Sequence, residues 1–484
     1  MTAEARPRRR SPEERAAALQ AIRDRYAEAE PPPAQSQDRR QRRGRVSSTV
    51  VTLGIVSLLT DISSESVAAV LPLYITASLG MTTVAYGFID GLMQGAPSLM
   101  RIVAGWMSDK RDHPKRVAAL GYALSAATRA ILLLSTSLAA VTATVAIDRV
   151  GKGIRTAPRD AMIAASSDPR TIGRSFGVHR ALDTAGSAIG PLLAFVVLWL
   201  IPGGYRNVFV ISFGVAVIGV GALVLLVPDL RPRRAAWLER HRSRVARGLP
   251  KCKNCTCGVT ALAAEGAPTF SWTFLRGREL RRILTVSVVL GLLTVGDGFI
   301  YLSLQAKDGF ATQWFPLLYV GTNVAYMTLA VPAGRLADKV GRAKVLVWGH
   351  VALVGAYLCA GASVSSTSVT LLALLLLGIF YATTDGVLAA LVGRLIATES
   401  RASAIGTAQS AVDVSRLVAS SAFGILWFTI GRSEAVLTVA CLLAAAVPAA
   451  AYALRHLDAP GTSGGAPDEG RPQPVASERR AGQA

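Results

Sequence analysis

Apolar residues in this chain gather into about twelve blocks of roughly 20, each long enough to cross a bilayer as a helix. The pattern predicts spans near 48–77, 84–106, 117–136, 141–165, 174–200 and 206–228, then 282–304, 312–333, 344–363, 367–396, 402–429 and 433–454. A polar run of about fifty residues separates the sixth span from the seventh. The chain therefore reads as an all-α membrane protein of twelve transmembrane helices in two six-helix bundles, 47–228 and 282–454. A central loop (229–281) joins them, a basic tail (1–46) precedes them and a Gly/Pro-rich tail (455–484) follows. Within the first tail, Ser11-Pro12-Glu13-Glu14 reads as a helix start that Pro31-Pro32-Pro33 would end. No apolar run with a small-residue cleavage site stands in 1–46, which argues against a signal peptide.

Composition agrees with the pattern. Of 484 residues, 51% are hydrophobic and 17% charged, against about 25% charged in a soluble domain. A soluble multidomain enzyme and a disordered chain are both excluded on this ground. The formal charge is +21, which on a soluble surface would suggest nucleic acid. Here the basic residues sit in tails and loops, so the expected partner is the lipid bilayer and no nucleic acid is expected. Loops on one side hold only Arg206, Lys307 and Arg432, while the other side holds the arginine-rich tail, the basic central loop and the 110–116 and 335–344 loops. That bias places both termini and the central loop in the cytoplasm of a cell-membrane protein.

The two halves repeat one another. Gly105-x-x-x-Asp109-Lys110 recurs as Gly334-x-x-x-Asp338-Lys339, and Gly177 recurs as Gly406, both at an offset of 229. Leu58-Leu59-Thr60 ahead of Asp61 recurs as Leu292-Leu293-Thr294 ahead of Asp297. Paired halves around a central site are a common plan of secondary transporters.

With these motifs the chain resembles the major facilitator superfamily. Gly105 to Arg116, with Asp109, Lys110 and Arg111, is similar to that family's loop 2–3 signature. Gly334 to Lys344 is similar to the loop 8–9 copy, with Asp338, Lys339, Gly341 and Arg342 in place. His113 stands near a position where the family usually has glycine. The resemblance implies two pseudo-symmetric bundles, and a gate in which Gly105 and Gly334 allow close helix approach while the acids and bases pair in one state and separate in another. A purely topogenic role for the bases is the other reading.

The fourth span carries Asp148, Arg149, Lys152, Arg155, Arg159 and Asp160. Asp148, Lys152, Arg155 and Arg159 share one helical face, and charges facing lipid are expensive, so this face should look into the bundle or a watery cavity. Arg149-Val150-Gly151-Lys152-Gly153 resembles the family pattern Arg-x-x-Gln-Gly with Lys152 in place of glutamine, which implies a proton-coupling role for Arg149. The string Asp148 to Asp160 also resembles an uncharacterised prokaryotic subgroup of the family. In the fifth span, Gly186-x-x-x-Gly190-Pro191 is similar to the antiporter motif without its trailing glycines. It favours export by antiport over import; a simple packing helix is the alternative.

Acidic residues stand in other spans: Asp61 and Glu65 in the first, Asp90 in the second, Asp297 in the seventh and Asp385 in the tenth. The resemblance implies that the first, fourth, seventh and tenth spans line a central cavity. A carboxyl group there can take up and release a proton as its surroundings change. Static pairing with Arg101, Arg129 or the fourth-span bases is the other reading. Asp160 with Arg159 and Asp183 with Arg180 read as structural pairs, and His350 as packing.

Cys252, Cys255 and Cys257 lie close together in the central loop, where with His241 they could hold Cu(I) or Zn(II), or merely occupy a loop. Cys359 and Cys441 read as small packing residues. No phosphate-binding loop or other catalytic machinery is present, so no enzyme and no further cofactor are expected. The expected function is alternating-access transport by a monomer, as proton-coupled efflux of a small organic solute. An anionic metabolite as substrate, or a metal- or redox-sensing membrane protein, are the alternatives.

Overall fold

The computed structural model describes residues 46–111, 113–167, 172–229, 277–395 and 401–457, with the backbone alone at 99, 101–111 and 401–403. The expected tail helix, the cysteine cluster and both tails lie outside these residues, as do the side chains of Arg101, Asp109, Lys110 and Arg111.

Fourteen α-helices are found among the described residues. The first half holds α1 (Ser48–Leu73), α2 (Thr83–Arg111), α3 (Pro114–Leu134), α4 (Leu138–Ala165), α5 (Ile172–Leu200) and α6 (Tyr205–Leu226). The second holds α7 (Arg278–Leu292), α8 (Asp297–Asp308), α9 (Pro316–Val340), α10 (Arg342–Gly361), α11 (Thr367–Thr384), α12 (Val387–Leu395), α13 (Arg401–Ile430) and α14 (Arg432–Leu454). Taking α7 with α8 and α11 with α12, ten helical segments are long and apolar enough to cross a membrane. α2 and α4 have comparable length, 29 and 28 residues, but carry the charges that the sequence assigns to the second and fourth spans.

Two spans predicted as continuous, 282–304 and 367–396, are each broken. The seventh parts between Leu292 and Asp297, and the tenth between Thr384 and Val387, where Gly386 has φ +80°. Hydropathy does not register these breaks because the residues around them are still apolar. Several of the backbone groups at the breaks find local partners, which lipid cannot supply. The Val295 amide donates to the Tyr357 hydroxyl at 2.7 Å, and that hydroxyl donates to the Leu293 carbonyl at 3.2 Å. In the tenth span the Asp385 amide donates to the Tyr381 carbonyl at 2.9 Å.

Within the first half, α1 packs on α5 and α6, and α4 packs on α2 and α3; in the second, α11 packs on α9 and α10, and α7 packs on α13. The halves meet through α2 against α13 and α5 against α9, which are equivalent pairs under the internal repeat. The α2–α13 seam is close at backbone level: a Cβ on Gly91 would lie 2.6 Å from the Leu417 carbonyl oxygen, and one on Gly87 2.6 Å from that of Ser420. Cations cap helix ends inside the first half. Lys115 Nζ donates to the Val224 and Val227 carbonyls at the end of α6, and Arg206 to the Leu133 carbonyl at the end of α3. Each sits at the negative end of a helix dipole.

Candidate functional site

α4 carries its charges in two directions. Asp148 and Arg155 turn toward α3 and α1: Arg129 Nη1 lies 3.0 Å from Asp148 Oδ1 and donates through Nη2 to Ser64 Oγ at 3.1 Å. Arg155 Nη2 lies 3.6 Å from Asp61 Oδ1, with its guanidinium 4.8 Å from the Tyr122 ring centre. These groups are buried. Arg149 and Lys152 instead reach a cavity of about 360 Å³ between the halves. Arg149 Nε lies 3.5 Å from Asp148 Oδ2, and Lys152 Nζ 3.4 Å from Glu65 Oε1. The one shared face expected for Asp148, Lys152, Arg155 and Arg159 is thus divided, because neighbouring helices approach α4 from both sides.

The second half supplies the facing wall. The break in the seventh span makes Asp297 the first residue of α8, and the break in the tenth leaves Asp385 as the link between α11 and α12. Both line the cavity, with Asp90 of α2 and Glu65 of α1. Tyr381 donates its hydroxyl to Asp297 Oδ1 at 2.7 Å. Of the expected cavity residues, Glu65, Asp90, Arg149, Lys152, Asp297 and Asp385 therefore line it, while Asp61 and Arg155 form a buried pair behind its wall. The second, fifth and eighth spans also contribute, through Asp90, Ser187 and Tyr319, beyond the four spans expected.

The cavity continues toward one face of the bundle. A second chamber of about 580 Å³ adjoins the first at Tyr326 and Asp385, and is lined by Arg159, Asp160 and Arg180 near the end of α4 and the start of α5. α5 runs parallel to α1, since Gly54 meets Leu182 and Gly186 meets Leu58. This chamber therefore lies toward the face from which α1 departs. Toward the other face the halves are closed by aromatic rings: Phe299 of α8 stacks edge-on to Tyr86 at 4.7 Å and Phe423 at 4.9 Å, and Trp314 meets Trp199 at 5.3 Å.

The remaining motifs are structural neighbours of this site. Arg342 Nη2 pairs with Asp338 Oδ1 at 2.8 Å, and its Nη1 donates to the Ala390 carbonyl of α12 at 2.8 Å, so the second motif copy ties α9 and α10 to the inner half of the tenth span. Lys339 closes the last turn of α9. Gly334 does not serve close approach, because nothing lies within 4 Å of where its Cβ would be. Gly105 belongs to the backbone-only stretch of α2. Gly186 and Gly190 do admit α1: a Cβ there would lie 2.5 Å from the Leu58 carbonyl oxygen and 2.9 Å from that of Ile62. α5 runs through Pro191 as one helix. Arg159 pairs with both Asp160 and Asp183, at 3.0 and 3.5 Å. His350 Nδ1 meets the Leu346 carbonyl at 2.9 Å.

Arg416 and Asp413 escaped the sequence reading. Both line the second chamber, and Ser98 Oγ of α2 donates to Asp413 Oδ2 across the seam between halves. Their signal was present, since they are charges three residues apart inside the eleventh span. The cavity tyrosines gave no such signal, because a tyrosine in an apolar span looks like any other core residue.

The family model of the major facilitator superfamily matches residues 53–322 and 308–482. An uncharacterized MFS-type transporter of Methanocaldococcus jannaschii is 31% identical over 79% of this chain and 89% of its own length. An uncharacterized protein of Mycobacterium tuberculosis is 25% identical over 74% of this chain and 81% of its own. Among solved structures, the nucleoside transporter NupG superposes with a TM-score of 0.66 at 16% identity, covering 84% of this chain and 99% of that one. A POT family transporter reaches 0.67 at 11% identity, covering 84% and 96%. At these identities the structural likeness is one of fold. The matches span both halves and the charged cavity between them, and the chain belongs to the major facilitator superfamily as one of its transporters.

Proposed function

We propose that this transporter exports a small organic solute from the cytoplasm in exchange for protons, by alternating access and as a monomer. The observation that carries the reading is the cavity between the halves, with ionisable carboxyl groups from both, joined to a chamber on one face and closed by aromatic rings toward the other. The excess of lysine and arginine in the loops on the α1-departure side supports placing that face in the cytoplasm of a cell-membrane protein. Glu65 is the leading proton carrier. Its pair with Lys152 is about one-third exposed to the cavity, so protonation can release it, whereas Asp61 is sealed against Arg155. Gly186 and Gly190 give α5 and α1 a close contact on the wall of the same half, in keeping with the antiporter-like motif.

The test is transport in proteoliposomes under an imposed pH gradient, with a broad solute panel. The expected result is gradient-driven accumulation that Glu65→Gln abolishes while exchange at equal pH persists. Accumulation that ignores the gradient overturns proton coupling.

A further inference from the structure

The charges around the cavity are unequally matched. Both basic side chains lining it have carboxylate partners, Arg149 with Asp148 and Lys152 with Glu65. Asp90, Asp297 and Asp385 also line it, yet among the described residues no ion pair includes any of the three. Asp90 is 5% exposed, and its Oδ2 has no hydrogen-bond partner. That oxygen lies against Gly296, at the break in the seventh span, where any added Cβ would collide with it. Asp297 receives only the neutral Tyr381 hydroxyl among the described hydrogen bonds. Arg149 acts on Asp90, and Arg416 on Asp297 and Asp385, only from beyond ion-pair contact. A buried carboxylate with no cation in contact is expensive, so this wall favours positive charge from whatever occupies the cavity.

A second observation concerns the rest of the lining. Tyr86, Tyr301, Tyr319, Tyr326 and Tyr381 all border the same space, with Tyr301 and Tyr319 edge-to-face at 4.5 Å between ring centres. Aromatic faces attract cations, most strongly when water is excluded. Rings also accept apolar substituents, and the hydroxyl groups tolerate polar ones. The volume of about 360 Å³ suits a small organic molecule rather than a bare metal ion.

From the unpaired acids and the tyrosine lining together, we infer that the substrate is a small organic cation of the ammonium or amidinium class. Its charge sits among Asp90, Asp297 and Asp385, and its apolar part lies against the tyrosine rings. An anion is disfavoured because Lys152 would first have to leave Glu65, and Arg149 the carboxylate that it shares with Arg129. The inference rests on the cavity being the transport site, as proposed above.

The test is direct binding of radiolabelled benzyltrimethylammonium to the purified full-length protein in detergent, at one fixed pH. This probe cannot lose its charge. Saturable binding is expected, weakened at least tenfold by Asp90→Asn and by Asp297→Asn, and weakened more by Tyr319→Leu than by Tyr319→Phe. Neutral 3,3-dimethylbutan-1-ol and anionic benzylphosphonate should fail to displace the probe at ten times its concentration. Asp385→Asn replaces any aspartate variant that is not monodisperse on size exclusion. Displacement by the neutral or anionic competitor, or no saturable binding of benzyltrimethylammonium, overturns the inference. Proton-driven transport of a neutral or anionic solute without cation binding sinks this assignment alone. Cation binding with no response of transport to a pH gradient sinks proton coupling alone and upholds the cation.

Discussion

The hydroxyl of Tyr357 accepts the amide hydrogen of Val295 at 2.7 Å, and so holds the seventh span open at the point that presents Asp297 to the cavity. The same hydroxyl donates to the Leu293 carbonyl, so one side chain of α10 meets both an amide and a carbonyl at the break. Tyr357 is 1% exposed. Tyr357→Phe therefore strands a buried donor and acceptor, at about 1–3 kcal/mol for each unsatisfied group. Thermal unfolding of the purified protein should move to lower temperature by several degrees, with solute binding weakened because Asp297 loses its fixed position. An unchanged melting curve would show that the break is held by something else.

Two buried-looking ion pairs should behave differently. Asp148 and Arg129 have side chains 5% and 4% exposed, whereas Glu65 and Lys152 are 27% and 33% exposed. Asp148→Asn leaves the Arg129 and Arg149 guanidinium groups without their shared carboxylate, a loss of about 3–5 kcal/mol by analogy with broken buried pairs. Glu65→Gln breaks a partly solvated pair, which is worth about 0–1 kcal/mol. Folded yield, measured by fluorescence-detected size exclusion, should fall sharply for the first variant and stay near the parent for the second.

The Asp338–Arg342 pair is similarly exposed at its acid, 64%, so its Coulomb contribution is small. The bond from Arg342 to the Ala390 carbonyl is the one that joins separate spans. Arg342→Ala should slow solute exchange several-fold with normal expression, and Asp338→Asn should slow it less. Equal rates in both variants and the parent would remove the motif from the gate.

Glycines that share a family signature or a seam should also separate. A Cβ on Gly91 would lie 2.6 Å from the Leu417 carbonyl oxygen, and main chain cannot swing aside as a side-chain tip can. Gly91→Ala should force α2 and α13 apart, lowering both stability and transport. Gly334→Ala meets open space and, inside α9, replaces the weaker helix former, so stability should hold or rise by up to about 1 kcal/mol. Parallel melting curves of the two variants check the contrast.

What the sequence by itself determined is the set of properties that a stretch of about 20 residues settles alone. Helical segments at the twelve predicted places, ten of them long and apolar enough to cross a membrane, and the repeat of Gly105 to Lys110 at Gly334 to Lys339 are all chain-local, although the second span runs on to Arg111 and the eighth to Val340, beyond the predicted 106 and 333. So is the presence of charge inside α4, which required some burial partner. Tertiary structure decided which partner. Asp148 and Arg149 are adjacent, yet one faces Arg129 and the other a cavity, because a helix turns about 100° between neighbours and only packing says what stands on each side. Asp61 and Glu65 are one turn apart on α1, yet Arg155 seals the first and the second reaches the cavity. The breaks at Leu293 and Asp385 lay beyond hydropathy for the same reason: a broken helix in lipid is tolerated only where a distant residue, such as Tyr357, meets its open backbone groups.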